Sequence, residues 1–263
     1  MDEEQILEAI SKSGYLFESE IAKFLSSSGY FVESNVIFKD ILTNKDREID
    51  LIAEKYDNYS YGANTKVKYF FELKNNSFPI VLMTQFYSNP YQAEQTIKEI
   101  LTTDETSRNY ISNLESSYEN LLNDNKPIFT QYCSFAKKGN KNEIMAFHPD
   151  ELYSSLNKLV WYCESEFTNS IEITEKLNIT GFRHWLYLPI LLVNDDLYEL
   201  KIENSKPTLN KVSYSKLLVN FHFNEYLCGT RVYVVTKNHL KNFLEKLTFI
   251  ENEIAKNMSN YIK

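Results

Sequence analysis

The sequence predicts an α/β fold, in a single domain with an elaborated C-terminal half. Two observations favour this class. A helical pattern at the N-terminus gives way to three strand-like segments, and strand and helix patterns then alternate through the second half of the chain. No shift in composition marks a boundary along the 263 residues, so we expect one domain over residues 1–263.

Composition narrows the classes of protein. The chain is 43% hydrophobic, enough for a real core, and carries a formal net charge of −8, which argues against a protein that coats nucleic acid through overall charge. The acidic N-terminal sequence "MDEEQILEAI" is unlike a signal peptide, and no apolar run approaches the ~20 residues of a membrane span. Cys133, Cys163 and Cys228 lie far apart, so we expect free thiols in a cytoplasmic protein without membrane contact.

The N-terminal segment is predicted to be helical over residues 3–28, with a break at Ser13-Gly14. Apolar side chains at Phe17, Ile21 and the pair Phe24-Leu25 recur at the spacing of one buried helix face. Gly29 is a candidate for the residue that ends this helix.

The next segments read as three strands, over residues 30–38, 47–55 and 66–74, of which the last two are joined by a polar loop at 56–65. Asn89-Pro90 is a favourable helix start. Apolar residues recur from position 97 to 122, so the sequence predicts one long helix or two in this region.

The second half reads as a mixture of strands and helices. Residues 128–138 and 143–147 suggest a hairpin around Gly139-Asn140, and a helix is expected at 149–165. The remaining predicted elements are strands at 184–194, 196–203, 216–223 and 231–237, followed by a closing helix from Asn238 to about Met258.

Three charged residues lie inside two of the apolar strand patterns, where burial is costly. Asp50 stands in "REIDLIAEK", and Glu72 and Lys74 stand in "KVKYFFELK". Strict alternation would put Asp50 on the face of Glu48 and Ile52, opposite Ile49, and pairing of the two strands can bring Asp50 beside Glu72. Two adjacent carboxylates repel unless a cation lies between them, and an oxygen-rich site favours Mg²⁺. A metal ion and a lysine there outline a site for phosphodiester hydrolysis.

The segments "REID" and "FELK", preceded by a helix and followed by a predicted helix, resemble the PD-(D/E)xK nuclease superfamily. The resemblance covers about residues 14–122 and implies a restriction-endonuclease-like core, a mixed central sheet flanked by helices, with residues 123–263 as the elaboration. It implies that Asp50 and Glu72 bind Mg²⁺ or Mn²⁺, joined by the Leu73 backbone carbonyl, and that Lys74 orients the attacking water. "GYLFESEIAKFL" resembles the helix motif of restriction-like members, which implies that Glu18 supports the metal.

These expectations amount to a metal-dependent endonuclease, acting on DNA in preference to RNA in a restriction or phage-defence setting. The alternative is a nuclease-fold module with little or no activity, which binds nucleic acid or assembles with a protein partner or a second copy of itself. Each carboxylate taken singly also fits an ordinary solvent-facing position. On the first helix, Glu18 and Glu20 flank the apolar stripe on opposite sides, and periodicity does not choose between them.

Overall fold

The computed structural model describes residues 2–40, 44–60, 62–86, 97–101, 122, 126–138, 143–176, 182–194 and 196–261. Its helices are α1 (Glu3–Ser13), α2 (Tyr15–Ser27), α3 (Asp150–Lys176) and α4 (Leu240–Tyr261), with a 3₁₀ turn at Lys237–His239. Its strands are β1 (Phe31–Asp40), β2 (Lys45–Asn58), β3 (Ala63–Lys74), β4 (Ile80–Phe86), β5 (Lys98–Leu101), β6 (Ile128–Lys138), β7 (Glu143–Phe147), β8 (Phe182–Val193), β9 (Leu197–Glu203), β10 (Lys206–Val212), β11 (Tyr214–Phe223) and β12 (Tyr226–Thr236). The predicted α/β class is confirmed at this level.

One 12-stranded mixed sheet contains strands from both halves of the chain. Its main path runs β1-β2-β3-β8-β12-β11-β6-β4-β9-β10, while β5 pairs with β8 and β7 with β6. The strands β1, β2 and β3 form an antiparallel meander, and β8 lies parallel to β3 along its whole length. The C-terminal half therefore supplies the strand that lies directly beside β3.

Two hydrophobic cores lie on opposite faces of this sheet. On one face, α2 and α4 pack against the sheet through residues such as Phe17, Leu25 and Leu247. On the other face, α3 packs through Leu156, Leu159 and Val160. The long C-terminal helices thus bury both faces of the sheet.

The break between α1 and α2 is confirmed at Gly14, which has a φ of +92°. This left-handed conformation favours glycine because a side chain would be strained there. Gly14 both ends α1 and begins α2, so it fixes the direction in which α2 enters the core.

Some sequence predictions need correction. The helix expected after Asn89-Pro90 is wrong at Lys98–Leu101, because these residues form strand β5 and pair with β8. Apart from residues 97 and 122, the rest of that predicted helix lies outside the described residues. Strands β2 and β3 extend into the predicted loop at 56–65, and β4 and β10 were not predicted. The β6–β7 pair matches the predicted hairpin, whose turn at Gly139-Asn140 is also outside the described residues.

Candidate active site

Strand pairing brings Asp50 and Glu72 together. The register of β2 and β3 pairs Ile52 with Phe70 and Leu51 with Phe71, and Asp50 and Glu72 are the next residue of each strand. Burial raises the pKa of the Asp50 carboxyl, and the negative charge of Glu72 raises it further. The two carboxylates are therefore close enough to repel.

Asp50 interrupts the regular alternation of its strand. Leu51 and Ala53 face the α2 side of the sheet, whereas Ile49 packs in the same core as Ile52, so the expectation that Ile49 lies opposite Ile52 is wrong. The Oδ2 atom of Asp50 accepts a hydrogen bond from the backbone N–H of Leu73 at 2.7 Å. The described pairing of β2 with β3 ends at Leu51 and Phe71. Just beyond it, this bond holds the Asp50 carboxylate against β3.

Leu73 therefore contributes to the site through its N–H group in the contact that the structure shows. The resemblance implied a role for its carbonyl as a metal ligand, and that role remains a prediction. A hydrogen bond to the charged form of Asp50 stabilises that form and offsets part of the penalty of burial.

Glu72 is the most buried member of the site. Its side chain is only 2% exposed, and the Nζ atom of Lys74 lies 3.0 Å from its Oε1 atom. Residues two apart on a strand share a face, which explains this contact within one strand. The Lys74 side chain is more exposed than that of Glu72, at 29%.

Lys158 of α3 completes the charge balance and was not predicted. Its Nζ atom lies 2.8 Å from Oε2 of Glu72 and 3.5 Å from Oδ1 of Asp50. Among the described residues, no hydrogen bond of regular geometry reaches the buried Glu72 Oε2 atom, so the close contact with Lys158 is an ion pair and not a directed hydrogen bond. A buried carboxylate needs such a counter-charge.

No local sequence signal identifies Lys158. It lies 108 residues from Asp50 in the sequence. Its neighbours Leu156 and Leu159 form part of a buried helix face, which indicates the helix but not the element that the helix contacts.

The two glutamates of α2, Glu18 and Glu20, lie in different surroundings. Glu18, in the first turn of α2, is half-buried; burial raises its pKa, and the charges of Asp50, Glu48 and Glu72 raise it further. Glu20 instead forms an exposed ion pair with Lys237 at 2.6 Å. Of the two, only Glu18 is thus placed toward the carboxylate pair.

The donor set suits a hard divalent cation. Asp50 Oδ1 and Glu72 Oε2 both contact the ammonium group of Lys158, and these two carboxylates are the residues that would hold a metal ion. Within the ranges described, no group of three His, Cys, Asp or Glu residues is arranged to hold a metal. Mg²⁺ commonly takes one or two carboxylates and completes its shell with water, so the residues fit the ion once Lys158 moves aside.

No family model, curated protein or solved structure matches the chain. Within the described part of the chain, no helix has the length and apolar character needed to cross a membrane.

Proposed function

We propose that the protein is a metal-dependent nuclease that hydrolyses phosphodiester bonds on a restriction-endonuclease-like core. The observation that carries the proposal is the convergence of Asp50 Oδ1 and Glu72 Oε2 on one cation position, with Lys74 at 3.0 Å from the second oxygen of Glu72. Carboxylates and a lysine in this arrangement are the groups that metal-assisted hydrolysis requires.

The order of elements supports the proposed core. Helix α2 precedes the antiparallel strands β1, β2 and β3, and a helix then packs across the sheet. That helix is α3, which lies beyond the range 14–122 that the resemblance covers. Together, α2 and α3 reach the carboxylates from the two faces of the sheet.

In this proposal, Asp50 and Glu72 hold Mg²⁺ or Mn²⁺, and Glu18 supports the ion from α2. The bound ion supplies an activated water and neutralises charge on the scissile phosphate. Lys74 orients the attacking water or stabilises the negative charge that develops, because its ammonium contacts Glu72 and its side chain is partly exposed to solvent. The Leu73 N–H holds the Asp50 carboxylate in place during the reaction.

The biological setting rests on the resemblance alone. By that analogy, the substrate is DNA in preference to RNA, the reaction is endonucleolytic, and the protein acts in restriction or phage defence in the cytoplasm.

A second function is favoured by one specific observation. Lys74 and Lys158 already balance the charges of Asp50 and Glu72 without a metal ion. A nuclease-fold module that binds nucleic acid or assembles with another chain, without cleaving, needs no more than this.

The test is incubation of the purified protein with plasmid DNA, single-stranded DNA and RNA, in Mg²⁺, Mn²⁺ or EDTA. We expect cleavage with metal, none in EDTA, and none for Glu72→Ala. Glu20→Gln is the matched control, because Glu20 faces Lys237 instead of the site. If no nucleic acid is cut and Mn²⁺ leaves the melting temperature unchanged, the non-cleaving module is the correct description.

A further inference from the structure

A cleft of about 520 Å³ opens beside the candidate active site. It lies between α3 and the β11–β12 hairpin, with the end of β1 and the start of β2 at its rim. Lys158 lines this cleft and also contacts both carboxylates of the site. The Lys158 side chain therefore belongs to both the cleft and the candidate active site.

Aromatic side chains line the wall of the cleft. Phe38 and Trp161 are stacked, with ring centroids 5.7 Å apart and an interplanar angle of 12°. Phe221, which is 6% exposed, adds apolar surface from β11. Phe38 is half-buried and Trp161 is 9% exposed, so the parts of these rings that reach the cleft offer apolar contact to a planar ligand.

Polar groups line the same space. Asn157 and Asn220 present carboxamides from α3 and β11, and each carboxamide offers a donor and an acceptor side by side. This pattern matches the edge of a nucleobase, as in the paired contacts that Asn makes with adenine. The cleft therefore combines apolar rings with several polar side chains, which can fix the orientation of a planar ligand.

An ion pair that is neutral overall lies at the rim. Arg47 donates through Nε to Oδ2 of Asp40 at 3.3 Å, which fixes the guanidinium at the cleft. A guanidinium has five N–H donors, so one bond to Asp40 does not exhaust its capacity. Lys158 lines the cleft and contacts both carboxylates, so a base held in the cleft would have its phosphate near Lys158.

We propose that this cleft binds one unstacked nucleobase next to the phosphate that is cleaved, so that the protein favours nucleic acid with unpaired bases. The inference rests on the proposed function and specifies its substrate. A base inside a duplex cannot enter such a cleft without leaving its stack, which costs free energy, whereas a single strand offers the base directly.

The test measures binding in EDTA, where cleavage is absent, with a single-stranded DNA dodecamer, the fully paired duplex of the same sequence, and inorganic phosphate. The chain has two tryptophans, and Trp185 lies on β8 outside the cleft lining. The Trp185→Phe protein therefore reports the environment of Trp161 alone. We expect the single strand to change its fluorescence at lower concentration than the duplex, and phosphate to have no effect.

Variants separate base binding from folding. Loss of a stacking partner in Trp161→Ala should weaken single-strand binding about 5- to 150-fold, measured by calorimetry in otherwise unaltered protein. Asn157→Ala should weaken it about 5-fold and keeps the aromatic surface, so it tests the cleft even if Trp161→Ala does not fold. Asn252→Ala, on the exposed part of α4, is the control and should bind as the parent does.

The outcomes distinguish this inference from the proposed function. Equal affinity for duplex and single strand, or single-strand binding that Asn157→Ala leaves unchanged, would overturn the inference even if Mn²⁺-dependent cleavage is observed. Single-strand binding that depends on Asn157 would uphold it; if no cleavage then occurs with any metal, only the hydrolytic function is lost.

Discussion

At the scale of single residues, the site is a balance of two carboxylates against two ammonium groups. Lys74 contacts one oxygen of Glu72, and Lys158 contacts the other as well as Asp50. The roles proposed for the two lysines differ. In the proposed function, Lys74 acts on the reacting groups, and Lys158 competes with the metal ion for the two carboxylates.

Substitution of Glu72 and Lys74 should affect catalysis differently. Glu72→Ala removes a metal ligand and should abolish cleavage. Lys74→Ala removes one charge-stabilising group, which typically costs ~10²–10³ in rate, while Mn²⁺ should still raise its melting temperature. Cleavage assays and thermal melts measure both properties. A Glu72→Ala protein that cleaves at the rate of the parent would contradict the site assignment.

Lys158→Met tests whether the lysine and a metal ion compete for the carboxylates of Asp50 and Glu72. Removal of one partner from a buried ion pair costs about 3–5 kcal/mol, so the variant should melt at a lower temperature in EDTA. Mn²⁺ should then stabilise it more than it stabilises the parent, because the ion no longer displaces an ammonium group.

The matched control for Lys158 is Lys211→Met, which removes an exposed ion pair with Asp196. Exposed pairs contribute ~0–1 kcal/mol, so this variant should behave as the parent in both conditions. An equal Mn²⁺ shift in the parent and in Lys158→Met would contradict the competition.

At the scale of elements, α2 determines which glutamate reaches the site. Gly14 sets the start of the helix, and the stripe of Phe17, Ile21 and Leu25 packs it on the sheet. With that face fixed, Glu18 lies toward Asp50, whereas Glu20 lies toward Lys237. The sequence left this choice open because both glutamates flank the stripe.

We expect Glu18→Gln to lower the cleavage rate or to raise the metal concentration needed, because the substitution removes a charge that supports the ion. Glu20→Gln should leave both unchanged. Titration of activity with Mn²⁺ measures the effect. The opposite result, with Glu20 required and Glu18 dispensable, would remove α2 from the proposed mechanism.

The elements that sequence reasoning found are those with strong local patterns. The break at Gly14 and the strands that carry Asp50, Glu72 and Lys74 follow from periodicity over a few residues. Lys98–Leu101 were predicted as helix, but they pair with β8, and this tertiary contact outweighs local preference. Lys158 could not be found locally, since its role depends on how α3 crosses the sheet.

At the scale of the whole molecule, a buried contact ties α4 to the central sheet. Tyr69 of β3 donates through its hydroxyl to Oε1 of Glu251 at 2.9 Å, and Lys55 of β2 lies 3.7 Å from the other oxygen. Burial is the main cause that raises the pKa of Glu251. The folded state therefore disfavours the charged form of this carboxyl.

Glu251→Gln should melt at a higher temperature than the parent at neutral pH. The pKa of Glu251 is higher in the folded state than in the unfolded state, so the protonated carboxyl contributes stability. This contribution is complete at pH values below the unfolded-state pKa. It is lost as the pH rises through the folded-state pKa. The amide keeps the acceptor for Tyr69, and Lys55 keeps Asp57 at 3.1 Å.

The advantage of Glu251→Gln should disappear near about pH 3.5, where both side chains are neutral, and should grow toward about pH 8. Each ~1 kcal/mol corresponds to about 2–4 °C for a chain near this size. Thermal melts of both proteins across this range measure the difference. A constant difference at all pH values would show that the charge of Glu251 is not the cause.

The separation of Asp50 and Lys158 in the sequence also sets the time that passes between their synthesis. A ribosome adds roughly 5–20 residues per second, so the 108 residues between them take on the order of 5–20 s. During that interval the nascent β2–β3 pair carries two carboxylates without the ammonium group that later separates them. Strand β8, which borders β3, also follows Lys158 in the chain. The sheet can therefore be completed only after the second half of the 263 residues has been synthesised.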